Sequence, residues 1–205
     1  MLAGGFMTRP PAIFEVDDYP RGWQECIGRL DQFRELNDTF CATVFAIPGM
    51  MTEETWAPLT ERAEWIHVGM HGFEHTKAEC RGDSPIINRG LVKGLFDRRF
   101  CKLFKAPHYG YSVEMTKALK DLQWTIFIQR DAEMFNIPRR WQNWIKVLEF
   151  DIGINVCYLS RPGRKTFHRH TGRAGPTDIL GRQSRYRRWI KQYDFHFSEE
   201  DAVWV

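Results

Sequence analysis

The stretch Ala12–Tyr19, read Ala-Ile-Phe-Glu-Val-Asp-Asp-Tyr, decides the fold. It is short, rich in β-branched and aromatic residues, and stops at Pro20, so it reads as a buried strand ending on two carboxylates. Working outward, Cys41–Pro48, Trp65–Met70, Cys101–Pro107, Thr125–Ile128, Ile145–Phe150 and Ile154–Leu159 read the same way. Between them, amphipathic segments predict helices over Gly22–Asn37, Thr52–Glu64, Pro85–Asp97 and Ser112–Gln123. In the last of these Ser112 is the expected N-cap, and Met115, Leu119 and Leu122 share one face. Strands alternating with helices predict βα units around a mainly parallel sheet. In such folds ligands gather where the strands end, so the chemistry is expected at the C-terminal ends of the apolar runs.

The chain has 205 residues, 43% of them hydrophobic and 27% charged, which suits one domain spanning 1–205 with a core of its own. No run approaches the ~18 apolar residues of a bilayer span, so no membrane partner is expected. Aromatic residues make up 14% of the chain, far from the composition of a disordered segment. The five cysteines are scattered without a C-x-x-C pair and read as reduced thiols. Arg9, Pro10 and Pro11 stand where a signal peptide would carry its apolar stretch, from which a cytoplasmic location is expected. The net charge of +3 hides an asymmetry: residues 139–192 hold thirteen Lys and Arg against three Asp and Glu. That stretch is a solvated basic face or, as an alternative function, a nucleic-acid or polyanion surface.

Two groups of residues carry chemistry. Asp17 and Asp18 are adjacent carboxylates, and in a regular strand they would point to opposite faces. Such a pair is either a turn or cap, or a metal ligand beside a base. His71-Gly-Phe-Glu-His75 follows the third strand, and its spacing places two imidazoles one helical turn apart, within reach of one divalent ion. His67 would extend the series, but Gly69 and Gly72 oppose a helix there, so His71 is expected at the strand exit and His75 one turn further on. Asp, His and His form a competent set for a zinc-like ion with positions open to water and substrate. Trp141 and Trp144 read as core or as sugar-stacking platforms, and Gly181–Gln192 as a basic helix.

In order and spacing, Phe14-Glu15-Val16-Asp17-Asp18, Val44-Phe45, His71-Gly-Phe-Glu-His75 and Phe104-Lys105-Ala106-Pro107-His108-Tyr109-Gly110-Tyr111-Ser112 resemble the motifs of the polysaccharide deacetylase (NodB-homology) family, the carbohydrate esterases of family four. The resemblance runs over most of the chain. It implies a distorted (β/α) barrel with a divalent-metal centre, with Asp17 as base and Asp18, His71 and His75 as ligands. The metal it implies is zinc first, with Mn2+, Co2+ or Ni2+ as alternatives. The substrate it implies is an N-acetylated carbohydrate or small molecule. Five positions depart from the family pattern: Glu15-Val16 stand where Thr-Phe is usual, Tyr19 where Gly follows the two aspartates, Gly72 where Ser or Thr follows the first metal histidine, and Lys105 where an Arg pairs with the base. The family also uses a histidine at a late strand end as general acid. Thr166–Gly172 is the candidate segment, with His170 preferred and His168 as second choice.

The reaction expected from this reading is hydrolysis of an N-acetyl group, or a similar amide or ester, with Lys105 holding Asp17 ionised and a backbone N–H near Tyr109 helping to hold the oxyanion. The alternatives are the polyanion-binding protein already named and a catalytically inactive carbohydrate-binding relative.

Overall fold

The computed structural model describes residues 9–76, 79–80, 97–109, 111, 113–128, 155–158, 165–171, 188–201 and 203–204. Strand β1 (Pro11–Tyr19) is followed by helix α1 (Trp23–Leu36), β2 (Ala42–Ala46), α2 (Glu53–Thr60) and β3 (Ile66–Met70). Then come β4 (Leu103–Phe104), α3 (Val113–Asp121), β5 (Thr125–Ile128), β6 (Asn155–Tyr158), β7 (Lys165–His170), β8 (Asp194–Phe195) and β9 (Val203–Trp204). The strand order is β7-β1-β2-β3-β4-β5-β6-β9. Every pairing is parallel except β6 with β9. The short β8 runs parallel to the start of β1 at Pro11 and Ala12, before β1 begins to pair with β2 at Glu15. The sheet curls into a half-barrel carrying helices, which is the distorted (β/α) barrel expected from the sequence.

Strand β1 is buried from Ala12 to Tyr19, as a strand covered on both faces must be. Its residues alternate between the two faces of the sheet. Ala12, Phe14 and Val16 join the large cluster beneath the helices, where Phe14 meets the rings of Phe33, Phe40 and Phe167 at 5.5, 5.3 and 6.1 Å. Each such ring contributes about 1.5–3 kcal/mol through burial. Helix α1 turns Cys26, Ile27, Leu30 and Phe33 into that cluster. The Asn37 side chain at its end donates to the carbonyls of Ile190 and Tyr193 at 2.7 and 2.8 Å, tying the helix to the C-terminal segment. Helix α2 opens on a reciprocal capping pair, Thr52 with Thr55.

The other face of the sheet carries the barrel interior. Phe45, Leu103 and Phe127 form a small separate cluster there, with the Phe45 and Phe127 rings 4.7 Å apart. Gly69 makes room for it, since a Cβ at that position would sit 2.6 Å from the Phe45 ring.

Most expected elements are present within a few residues of their predicted limits. The strand expected over Cys101–Pro107 shortens to Leu103–Phe104, because Pro107 and the turn that follows end the pairing early. The expected strand Ile145–Phe150, Trp141, Trp144, Ser112, all of the expected helix Pro85–Asp97 except Asp97, and residues 181–187 of the expected helix Gly181–Gln192 lie outside the described residues; 188–190 are helical, with Ile190 buried. Cys26, Cys41, Cys80 and Cys101 are free thiols, as expected. Burial, followed by the charges of Glu200 and Glu199, pushes the Cys41 thiol up to about 12. Among the described residues no helix is long and apolar enough to cross a membrane.

Candidate metal centre

The two carboxylates at the end of β1 do not point to opposite faces. The pairing of β1 with β2 slips between Val16 and Tyr19, and Asp18 has φ 67°, in the left-handed region. An irregularity of this kind re-aims side chains at a strand end. It brings Asp17 and Asp18 into one pocket, both buried. This corrects the alternation expected from a regular strand. Thr171 helps to hold the bend, its backbone N–H and its hydroxyl donating to the Asp17 carbonyl at 3.0 and 3.2 Å.

The His71–His75 segment is not helical. It leaves β3 as a loop, with Gly72 at φ 65° and His75 at φ 61°. The two imidazoles still converge, because the left-handed residues fold the loop back over the strand end; their ring centroids are 4.9 Å apart. His71 continues the ladder, its N–H donating to the Ala46 carbonyl at 2.7 Å. Its Nδ1 is 2.8 Å from the Lys105 carbonyl oxygen, which can only accept, so Nδ1 carries a hydrogen, and in the neutral ring Nε2 presents its lone pair to the pocket. His71 Nε2 and His75 Nε2 lie 3.6 and 2.7 Å from Asp18 Oδ1. One ligand atom from each of Asp18, His71 and His75 falls within 4.8 Å of the others. This donor set, with one tautomer already arranged for coordination, fits a divalent ion of the zinc type. His67 takes no part: it stacks on Phe197 at 3.5 Å and pairs with Glu199.

Lys105 is fully buried just past β4, and its N–H donates to the Met70 carbonyl at 2.9 Å. Beyond it, the Tyr111 hydroxyl accepts from the Ala106 N–H at 3.1 Å and lies 2.6 Å from the Phe127 carbonyl oxygen, fixing the strand exit. The Lys105 ammonium reaches Glu15 Oε2 at 2.9 Å and Asp17 Oδ1 at 3.0 Å, and sits 4.8 Å over the Phe45 ring. Burial pushes the Asp17 carboxyl up, but Lys105, His168, His71 and His170 together outweigh burial and hold it at about 2. Glu15 is also held below the usual carboxylate range, against burial, first by Lys105 and then by His168. Asp18 lies well below that range too: burial opposes its ionisation, and hydrogen bonds from His170, His71 and His75 overcome it.

Strand β7 brings the late histidines to the same pocket. Its register with β1 sets His168 beside Glu15 and His170 beside Asp17, so all four side chains share the interior face. His170 Nδ1 is 3.0 Å from Asp18 Oδ2, and His168 Nε2 is 3.5 Å from Asp17 Oδ2. The two Nε2 atoms are 3.2 Å apart.

All seven residues singled out in the sequence therefore meet. Sequence reasoning missed two others. Glu15 was read only as a departure from a pattern, although its position two residues before Asp17 on a buried strand signals the same face. Glu79 is buried, its Oε2 accepting from the Glu74 N–H at 2.8 Å, and its Oε1 lies beside Gly72. Nothing local in the sequence signals that contact. Most of the basic stretch 139–192 lies outside the described residues.

No protein-family model matches the chain, and no curated protein does. Solved structures do. The peptidoglycan deacetylase PdaC from Bacillus subtilis is similar with a TM-score of 0.58 at 14% identity, over 94% of this chain and 89% of the other. The chitin deacetylase from the fungal pathogen Colletotrichum lindemuthianum has a TM-score of 0.57 at 14% identity, over 95% and 88%. A family 4 acetyl xylan esterase from Clostridium thermocellum, solved with a cobalt ion, has a TM-score of 0.54 at 12% identity, over 93% and 89%. The likeness shows a shared fold along nearly the whole length of each chain.

Proposed function

Starting from a fold shared with carbohydrate esterases and deacetylases, we propose that this chain is a divalent-metal-dependent hydrolase removing an acetyl or similar acyl group from an N-acetylated carbohydrate. One observation carries the reading: Asp18, His71 and His75 converge as a ligand set directly beside Asp17, a buried carboxylate that Lys105 keeps ionised. A divalent ion held by that set, zinc first, supplies Lewis acidity and a lowered pKa for a nearby water.

The chain's own residues do the rest. Asp17 Oδ2 is 4.0 Å from His71 Nε2, so it stands beside the ion's position and removes the proton of the attacking water. Lys105 holds that carboxylate charged and in place. As water adds to the acyl carbon and the C–N bond breaks, the leaving nitrogen needs a proton. His170 delivers it from Nε2, since Nδ1 is committed to Asp18; His168 is the second candidate. A backbone N–H near Tyr109 helps to hold the oxyanion. An ionised Asp17 supports a working enzyme over an inactive carbohydrate-binding relative.

Metal-stripped protein reconstituted with one equivalent of Zn2+ or Co2+ is expected to release acetate from chitin oligosaccharides, and His71→Ala to lose both tight metal binding and acetate release. A folded wild-type protein that binds no divalent ion sinks the proposal.

A further inference from the structure

The pocket holds a second set of ligand atoms. Asp17, His168 and His170 each offer one atom within 4.8 Å of the others, using no residue of the Asp18–His71–His75 set. We infer that this second set is a weaker divalent-cation site, and that zinc bound there switches the enzyme off by taking the base and the acid together. The inhibitory half of this inference rests on the function proposed above; the binding half does not.

The donor chemistry suits zinc: a carboxylate oxygen and two imidazole nitrogens on rigid, adjacent parallel strands. Ring orientation suits it as well. The Asp18 carboxylate can only accept, so His170 carries its hydrogen on Nδ1, and in the neutral ring Nε2 keeps its lone pair towards His168. Asp17 divides its two oxygens, giving Oδ1 to Lys105 and leaving Oδ2 facing His168 Nε2 at 3.5 Å.

His168 has two partners behind it. Its Nδ1 lies 3.2 Å from the Lys105 ammonium and 3.8 Å from Glu15 Oε2. Accepting from Lys105 leaves the ring hydrogen on Nε2, which closes the site. Donating from Nδ1 to Glu15 frees the Nε2 lone pair, and a carboxylate behind a ligating histidine is the usual support of a zinc site. Glu15 has capacity for this second bond: it is fully buried, and among the described residues its Oε1 has no hydrogen-bond partner.

Charge sets the order of filling. Among the described residues, Glu15, Asp17 and Asp18 face one lysine, Lys105, within this buried cluster, so with the imidazoles neutral one divalent ion at Asp18, His71 and His75 balances it. A second ion enters a neutral pocket with the Lys105 ammonium close by, and so binds more weakly. Glu15 is what makes a second ion tolerable, because without its carboxylate the pocket holding one ion would already be positive.

Metal-stripped full-length chain is dialysed against graded free Zn2+, and zinc per chain is measured with circular dichroism as the check on folding. Two plateaus are expected, at one and then two ions per chain, the second roughly tenfold or more weaker. His168→Ala and, separately, Glu15→Gln should keep the first plateau and lose the second, while His71→Ala loses the first. A single plateau at one ion in folded wild type, or a second ion surviving His168→Ala, overturns the site. Acetate release should rise with the first plateau and fall with the second; full release with both sites filled overturns the inhibition. Protein that shows two plateaus and no acetate release at any zinc level supports the second site and overturns both the proposed function and the inhibition.

Discussion

The Glu79 carboxylate occupies the space that a side chain at Gly72 would need: Oε1 lies 1.9 Å from where a Cβ on residue 72 would stand, and the Pro107 ring 2.7 Å from it. Gly72 is therefore required twice, by its φ of 65° and by Glu79 behind it. The loop that carries His71 and His75 is held by a carboxylate arriving from later in the chain. Gly72→Ala should cost roughly 1–3 kcal/mol from the backbone alone, and more from displacing Glu79. Urea unfolding and zinc content should both report the loss. The double variant Gly72→Ala/Glu79→Ala should recover only part of the stability, because the positive φ remains.

Lys105 bridges two buried carboxylates, so removing its charge leaves them facing each other without their main counter-charge. Lys105→Met should destabilise the protein by about 3–5 kcal/mol. Adding Glu15→Gln to that variant should restore part of the loss, since one of the stranded charges is then gone. Chemical denaturation of the two variants measures the coupling; equal stability of the single and double variants would falsify the bridging role.

Acid stability should carry the signature of Asp17. Its carboxyl is held at about 2, below the usual 3.8, so its ionised form favours the folded state. That contribution, on the order of 2 kcal/mol, is fully present above pH 3.8 and is lost as the pH falls towards 2. In metal-free protein, the stability of Asp17→Asn should fall less steeply than wild type between pH 4 and pH 2, a window set by those two values. Parallel stability curves would remove Asp17 from the account.

His170 and His168 separate by what they touch. Loaded with one equivalent of zinc, His170→Ala should lose about 10²–10⁴-fold in kcat while keeping its metal. His168→Ala should lose less, because Lys105 already engages that ring. A larger loss in His168→Ala than in His170→Ala would exchange their roles.

Much of this was legible in the chain. The ends of Ala12–Tyr19 and Trp65–Met70 announced Asp17, Asp18, His71 and His75, since apolar runs and their stops are local features. Lys105, His168 and His170 were legible only through a resemblance of motifs. Glu79 was not legible, because its importance lies in the volume beside Gly72 and not in its neighbours along the chain. The helical spacing of His71 and His75 misled, since a loop with two left-handed residues brings the imidazoles together as well as a helix turn does.

Which residue types would gather at the strand ends was settled by composition and period, because burial of a parallel strand is written in its own apolar run. How they pair was not. The slip after Val16 and the φ of Asp18 turn both carboxylates inward, and the register of β1 with β7 sets Glu15 beside His168 and Asp17 beside His170. Those contacts join residues far apart in the chain, Lys105 to Glu15 and His170 to Asp18. Only the packed sheet brings such charges within a few ångströms of one another, and at that distance, shielded from water, each one sets the protonation state of the next.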